Sequence, residues 1–365
     1  MYLRFAGFFF FYFSIIGVYI IFLPKILQIL SYKPFEIGVI FAIAPLTRFL
    51  VPFLFQRRFK LTIFVFYLSL GLAILSAIIF YFTIENFYLF IFPNFLLGAS
   101  LGLILPFLET YALEYLGKEH YGKARLFGSI GFMSVGIVLA KLLQNVHMGL
   151  HFFLGSVLLM TFFGFTITRK NSDFSNAKVA SGKLDFKPHF GFWLNLFFMQ
   201  MSFGAFYNFF TIYQTDAGIS LELTSWMWAF GVICEILLFY FQGYFIKRYE
   251  LLDLIEFSTL MTSIRWFLLF AFPGYIFIAF FAQAFHAFSF ALHHSAAFSY
   301  LHTIYSNRRL AAQFYYGISF GLGGFMGALI SGWIYGPYLY LGASFMALFG
   351  LFTCKAYSAR IKLRK

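Results

Sequence analysis

Thr168-Arg169-Lys170-Asn171-Ser172-Asp173-Phe174-Ser175-Asn176-Ala177-Lys178-Val179-Ala180-Ser181-Gly182-Lys183-Leu184-Asp185-Phe186-Lys187-Pro188-His189 is the longest polar stretch of the chain, and its flanks decide the fold. On either side lie apolar runs of about 20 residues, the length an α-helix needs to cross hydrocarbon roughly 30 Å thick. Before it they fall at about 5–30, 36–55, 61–82, 87–112, 126–144 and 150–168; after it at about 190–213, 223–245, 252–272, 275–300, 311–334 and 338–354. The pattern predicts an all-α membrane protein: twelve transmembrane helices in two pseudo-symmetric six-helix bundles, 1–168 and 190–365, joined by a cytoplasmic linker over 169–189.

Composition excludes a soluble globule. The 365 residues are 62% hydrophobic and 11% charged, against about 25% charged in soluble domains. A mean hydropathy of +0.84 leaves little room for an extramembrane catalytic domain. Neither a Walker A sequence nor H-E-x-x-H occurs, so ATP-driven pumping and zinc hydrolysis lack their residues. The expectation is a non-enzyme without cofactors, driven by a gradient. Cys234 and Cys354 lie far apart, which indicates neither a disulfide framework nor a thiolate metal site.

The net charge of +13 sits in short gaps between apolar runs, a membrane pattern and not a nucleic-acid surface. With the N-terminus inside, 21 of the 26 basic residues are cytoplasmic, while Lys25, Lys33 and Lys141 face the other side. The expected location is therefore the bacterial inner membrane, with both termini cytoplasmic. The run from Phe5 to about Leu30 is too long for a signal h-region and reads as a retained first span.

Faint internal echoes relate the halves. Glu36 and Gln56 bracket one run and Glu222 and Gln242 another; Gly17-x-Tyr19 is echoed by Gly204-x-x-Tyr207, and Arg125-Leu126 by Arg309-Leu310, at offsets of 184 to 188. Gly128, Gly131 and Gly136, and Gly317, Gly321, Gly323, Gly324 and Gly327, give small-xxx-small spacings, either for close helix packing or for surfaces on which bundles rock.

Charges inside spans carry the functional signal, since a mid-bilayer ion costs about 2.5–3.5 kcal/mol and normally faces a cavity with a partner. Arg48, Glu235, Arg265 and His286 each fall about eleven to thirteen residues into a run, a common depth near the midplane. Arg265 is expected to meet either Glu235, as a fastening ion pair, or the carboxylate of a bound anion. His286 is a proton relay or a core histidine. Arg48 lacks a carboxylate partner at its depth and would attract an anion. Glu109 and Arg125 make a gate or a structural pair. His286, His293 and His294 share a helical face, but their spacing does not suit a shared metal ion, and none is expected.

Tyr121-Gly122-Lys123-Ala124-Arg125-Leu126-Phe127-Gly128-Ser129 resembles the Y-G-K-x-R-L-x-G-S of a branch of the major facilitator superfamily. That branch contains the 3-phenylpropionate transporter and is distantly similar to lactose permease. Pro106-Phe107-Leu108-Glu109, Gly231-Val232-x-x-Glu235, Arg265-Trp266 and Gln283-x-x-His286 extend the resemblance in order along the chain. It implies alternating access and proton symport, with Glu235 and His286 as proton-coupling residues and Arg48, Arg265 and Glu109 as substrate-binding residues. Gln56-Arg57-Arg58-Phe59-Lys60 departs from the superfamily's G-x-x-x-D-R-x-G-R-R, and no acidic residue follows His286 in its run. The expected partners are a small organic solute, protons and lipid, with the protein a monomer. The two buried arginines favour an aromatic or other monocarboxylate over a sugar or nucleoside. A non-transporting receptor or scaffold is the remaining class.

Overall fold

The computed structural model describes residues 1–58, 62–143, 145–169 and 183–363, and among them the regular structure is all helical. Among the described residues twelve long helical segments follow in order: α1 (Tyr2–Ile29), α2 (Pro34–Arg58), α3 (Ile63–Thr83), α4 (Phe87–Gly117), α5 (His120–Leu142), α6 (Val146–Thr168), α7 (190–216), α8 (Leu221–Arg248), α9 (Leu251–Ala271), α10 (Ile276–Ile304), α11 (Leu310–Trp333) and α12 (Leu339–Lys362). Ten are long and apolar enough to cross a membrane on length and composition alone. The other two are α2, which carries Glu36 and Arg48, and α7, which is interrupted at Phe203. Most of the 169–189 linker lies outside the described residues, as do Lys60, Arg364 and Lys365; Lys187–His189 is a single 3₁₀ turn leading into α7.

The chain divides into two compact units, Met1–Val179 and Ala180–Lys365. Several helices start where a short polar side chain accepts an otherwise unpaired backbone N–H, as Thr62, Asn86, Asn145, Ser220 and Asn307 do for the residue three positions on. α4 stops at Gly117, whose φ of 70° and ψ of 167° suit only glycine.

In each unit a glycine-lined crossing fixes the first helix of the unit. A Cβ on Gly131 of α5 would fall 2.1 Å from the Phe10 carbonyl oxygen of α1, and one on Gly327 of α11 would fall 2.4 Å from the Met201 carbonyl oxygen of α7. Only hydrogen allows such backbone approach. Gly17 and Gly204 complete these crossings against Phe132 and Gly327. The close neighbours of Gly131 and Gly136 in α5 and of Gly323 and Gly327 in α11 are thus in the first helix of their own unit.

Both first helices also deform midway. In α1 the turns Val18–Phe22 widen to π-helical spacing just before Pro24, which has no N–H to give Ile20 and crowds that carbonyl. In α7 the break falls at Phe203. The two helices end alike: Ser31 N–H and Tyr32 N–H donate to Gln28 and Leu27, while Gly218 N–H and Ile219 N–H donate to Thr215 and Gln214. The cap residue is left-handed in both, with φ 65° at Ser31 and 88° at Gly218. Two further π-helical stretches, Ala287–Leu292 in α10 and Tyr316–Gly323 in α11, belong to the second unit.

Candidate functional site

The second unit buries a directional chain of hydrogen bonds. Arg265, in the middle of α9, is completely buried. Its Nη1 donates to His286 Nδ1 at 3.0 Å and to Ser289 Oγ at 3.2 Å, and its Nη2 donates to Gln283 Oε1 at 2.9 Å. A guanidinium only donates, so Nδ1 of His286 must be the accepting nitrogen and the ring proton sits on Nε2. That nitrogen lies 3.3 Å from Glu235 Oε2 of α8. Arg265 thus points through His286 to Glu235, with the imidazole between the guanidinium and the carboxyl group.

This arrangement corrects one expectation: Glu235 does not grip Arg265 directly, because His286 stands between them. Ser289, which the sequence did not single out, joins Gln283 in holding the guanidinium. His286 immediately precedes the π-helical stretch of α10, where the wide turn places Gln283, His286 and Ser289 around one cation. Arg265 is also stacked on aromatic faces, its Cζ 4.3 Å from the Phe206 ring centroid and 4.4 Å from that of Trp266. Its Nε, together with Gln283 Nε2, is buried with no hydrogen-bond partner among the described residues.

The histidines of α10 do not act as one cluster. His293 Nε2 bonds Asn195 Oδ1 of α7, in a buried network with Thr259 and the Gly350 carbonyl, whereas His294 Nδ1 meets the Tyr315 hydroxyl of α11. No group of three or more metal-ligating side chains occurs among the described residues.

The first unit holds a looser set. Arg125 Nε of α5 donates to Glu109 Oε1 of α4 at 2.9 Å, both side chains about a third exposed, and the guanidinium lies 4.0 Å from the Phe13 ring centroid. Arg48 of α2 is exposed, within electrostatic reach of the Tyr12 and Tyr19 hydroxyls of α1, and has no ion-pair partner among the described residues. Asn94 serves as interhelical glue, accepting from Tyr19 and donating to the Phe90 carbonyl. An apolar groove of about 560 Å³ lies between α3 and α6, lined by Tyr67, Leu70, Leu158, Thr161, Phe162 and Phe165 and by none of these charges.

Gly98-Ala99-Ser100-Leu101-Gly102 and Gly317-Ile318-Ser319-Phe320-Gly321 have the spacing of a hydrolase nucleophile elbow. Both lie within helices, and their hydroxyls are bonded to the Leu96 and Leu196 carbonyls. The strand-to-helix turn on which that chemistry depends is absent from both places.

A family model described as the MFS_1 like family matches residues 2–346. The chain belongs to that family. It is a multi-pass membrane protein of that family, with an all-helical MFS-type fold. Over 192 residues it is 25% identical to the probable 3-phenylpropionic acid transporter of Escherichia coli (strain K12), a match covering 50% of this chain and 49% of that protein. The matched stretch thus spans about half the length of that relative. Among solved structures, the nucleoside transporter NupG superposes with a TM-score of 0.80 at 16% identity, covering 99% of both chains. The POT family transporter PepTSo gives 0.73 at 12% identity, covering 98% of this chain and 97% of its own. A bacterial homologue of the iron transporter ferroportin in its inward-facing state gives 0.76 at 11% identity, covering 98% of each chain. These likenesses share a fold across different cargoes, so the cargo has to be argued from the site.

Proposed function

We propose that this MFS_1 like protein is a proton-coupled symporter of the bacterial inner membrane, with both termini cytoplasmic, that imports an aromatic or other monocarboxylate by alternating access of its two halves. The observation that carries this reading is the directional chain from Arg265 through His286 to Glu235. Without cargo the three side chains hold one cation, one neutral ring and one anion, a neutral set that can be buried. A proton arriving at His286 Nδ1 takes the lone pair that Arg265 Nη1 uses and releases that donor. A substrate carboxylate then accepts from the guanidinium, whose planar fork suits it, and the loaded set is again neutral. Proton and anion enter together because either alone would leave an uncompensated charge in a low-dielectric interior.

Two further features support an aromatic acid. The N–H groups of Arg265 Nε and Gln283 Nε2 are buried and unpartnered, and each is a donor for a carboxylate. Phe203, Phe206 and Trp266 around the guanidinium offer faces for a ring. The relative described as a probable 3-phenylpropionic acid transporter, matched over about half its length, agrees with that cargo class. Arg48 is a second attraction for the anion, and Glu109–Arg125 acts as a gate or clamp in the first half.

The test is uptake into proteoliposomes under an imposed pH gradient, against a panel of aromatic and aliphatic carboxylates, sugars and nucleosides. Accumulation of a monocarboxylate, abolished by collapsing the gradient, is the expected result. Preference for a nucleoside or sugar would overturn the cargo class, and a flat response across the panel would favour a non-transporting role.

A further inference from the structure

We propose, on the basis of that proton-coupled reading, that the alternating histidine–phenylalanine ladder of α10 is the proton track between the Glu235–His286 pair and the last turn of the helix, with His294 as its middle station. His286, Phe290, His294, Phe298 and His302 recur every four residues, which places successive rings over one another on a helix. The rings do meet. His286 and Phe290 stack with centroids 5.4 Å apart and planes 14° from parallel; Phe290 and His294 are 6.2 Å apart at 14°, His294 and Phe298 5.9 Å at 18°. Phe298 and His302 close the series edge-to-face at 4.6 Å.

The three imidazoles have graded surroundings. His286 is buried between Arg265 of α9 and Glu235 of α8, while His294 and His302 are half-buried. His294 faces the Tyr315 hydroxyl, 2.9 Å from its Nδ1, with Tyr316 and Phe320 also on α11 and with Glu235 within electrostatic reach from α8. His302 lies at the Ile304 end of α10 with Arg308 nearby. Farther along, Ser295 hydroxyl donates to Gln242 Oε1, so α8 and α10 are clasped beside the ladder.

A packing stripe would be served by phenylalanine at every rung; only the histidine rungs carry ring nitrogens that can accept and donate a proton. The phenylalanines fix the ring planes, and water carries the proton across each intervening rung. At His294, whose Nδ1 is engaged with the Tyr315 hydroxyl, Nε2 takes a proton from the water on the His286 side and passes one to the water on the His302 side. One N–H bond forms and one breaks, with no change in electron count.

The test uses proteoliposomes of the full chain with radiolabelled 3-phenylpropionate as probe, measuring both gradient-driven accumulation and equilibrium exchange. Exchange needs cargo binding and reorientation but no net proton release. His294→Gln, which retains a side chain able to bond Tyr315, is expected to lower accumulation about tenfold or more and leave exchange near wild type. Tyr315→Phe, which removes the hydrogen bond but keeps the imidazole, is expected to leave both intact. Unimpaired accumulation by His294→Gln would overturn the track, and so would loss of accumulation and exchange in parallel, the signature of a structural role. A wild type that exchanges the probe but shows no gradient-driven accumulation would overturn the coupling reading itself; one that does neither would overturn the cargo assignment.

Discussion

The two units share a plan and differ in where they put their charge. Each has a first helix deformed midway, locked by glycine to the fifth helix of its unit and ended by the same left-handed cap. In the first unit the charged groups are half-exposed or exposed: Arg125 with Glu109, and Arg48. In the second, Arg265 is completely buried and spends its donors on three different side chains. A scaffold needs the shared features; among the described residues only the second unit carries a buried cation with a donor left unpartnered. The contrast separates framework from chemistry, and each half of it can be attacked.

The largest difference is expected between the two arginines. Arg265→Lys removes a fork held by Gln283, His286 and Ser289 and should raise the half-saturating substrate concentration about 10- to 100-fold. Arg48→Lys, where no such fork is held, should change it by less than about threefold. Equal effects in the uptake assay would erase the distinction between the units.

The next largest concerns the framework, where the units should behave alike. Gly131→Leu and Gly327→Leu each force a side chain into a backbone contact and should cost about 1–3 kcal/mol, read as loss of thermal stability of the detergent-solubilised protein. A harmless outcome in one unit only would break the equivalence of the crossings.

The Glu109–Arg125 pair should matter less. Its half-exposed geometry implies about 0.2–1 kcal/mol, so Glu109→Gln should lower thermal stability only slightly. Ser31→Gly should act in the other direction, gaining up to about 1 kcal/mol by relieving a left-handed serine where the second unit already has Gly218. The smallest effect is at His189, before α7, where burial holds the imidazole below its ordinary value against the opposing pull of Asp185. The unfolded chain then binds the proton more readily than the folded one. This residue's contribution is favourable above about pH 6.5 and fades as pH falls towards the folded value, so His189→Gln should flatten the loss of stability between about pH 7 and 5.

The helices were legible because a bilayer demands long apolar runs, and runs survive any detail of packing. Arg265, Glu235 and His286 were legible for the converse reason, as charges in apolar runs need an explanation. Their order was not. Depth along a helix says nothing of azimuth, so a direct Arg265–Glu235 pair and a relay through His286 read the same in the sequence. Ser289 was hidden because its contact depends on the π-helical stretch Ala287–Leu292, which shifts register without a proline to announce it. The ladder has a period of four in the sequence, but nothing in the sequence separates the rung His294 from the neighbouring His293, which the fold assigns to the Asn195 network instead.

The central claim is that protons enter and leave through the buried chain of the second unit. The direct measurement is the external pH of lightly buffered proteoliposomes when a monocarboxylate is added without an imposed gradient. The account predicts alkalinisation as proton and anion enter together, lost in Glu235→Gln and retained in Glu109→Gln. Carboxylate uptake by the wild type with no pH change, or alkalinisation that survives Glu235→Gln undiminished, would contradict it.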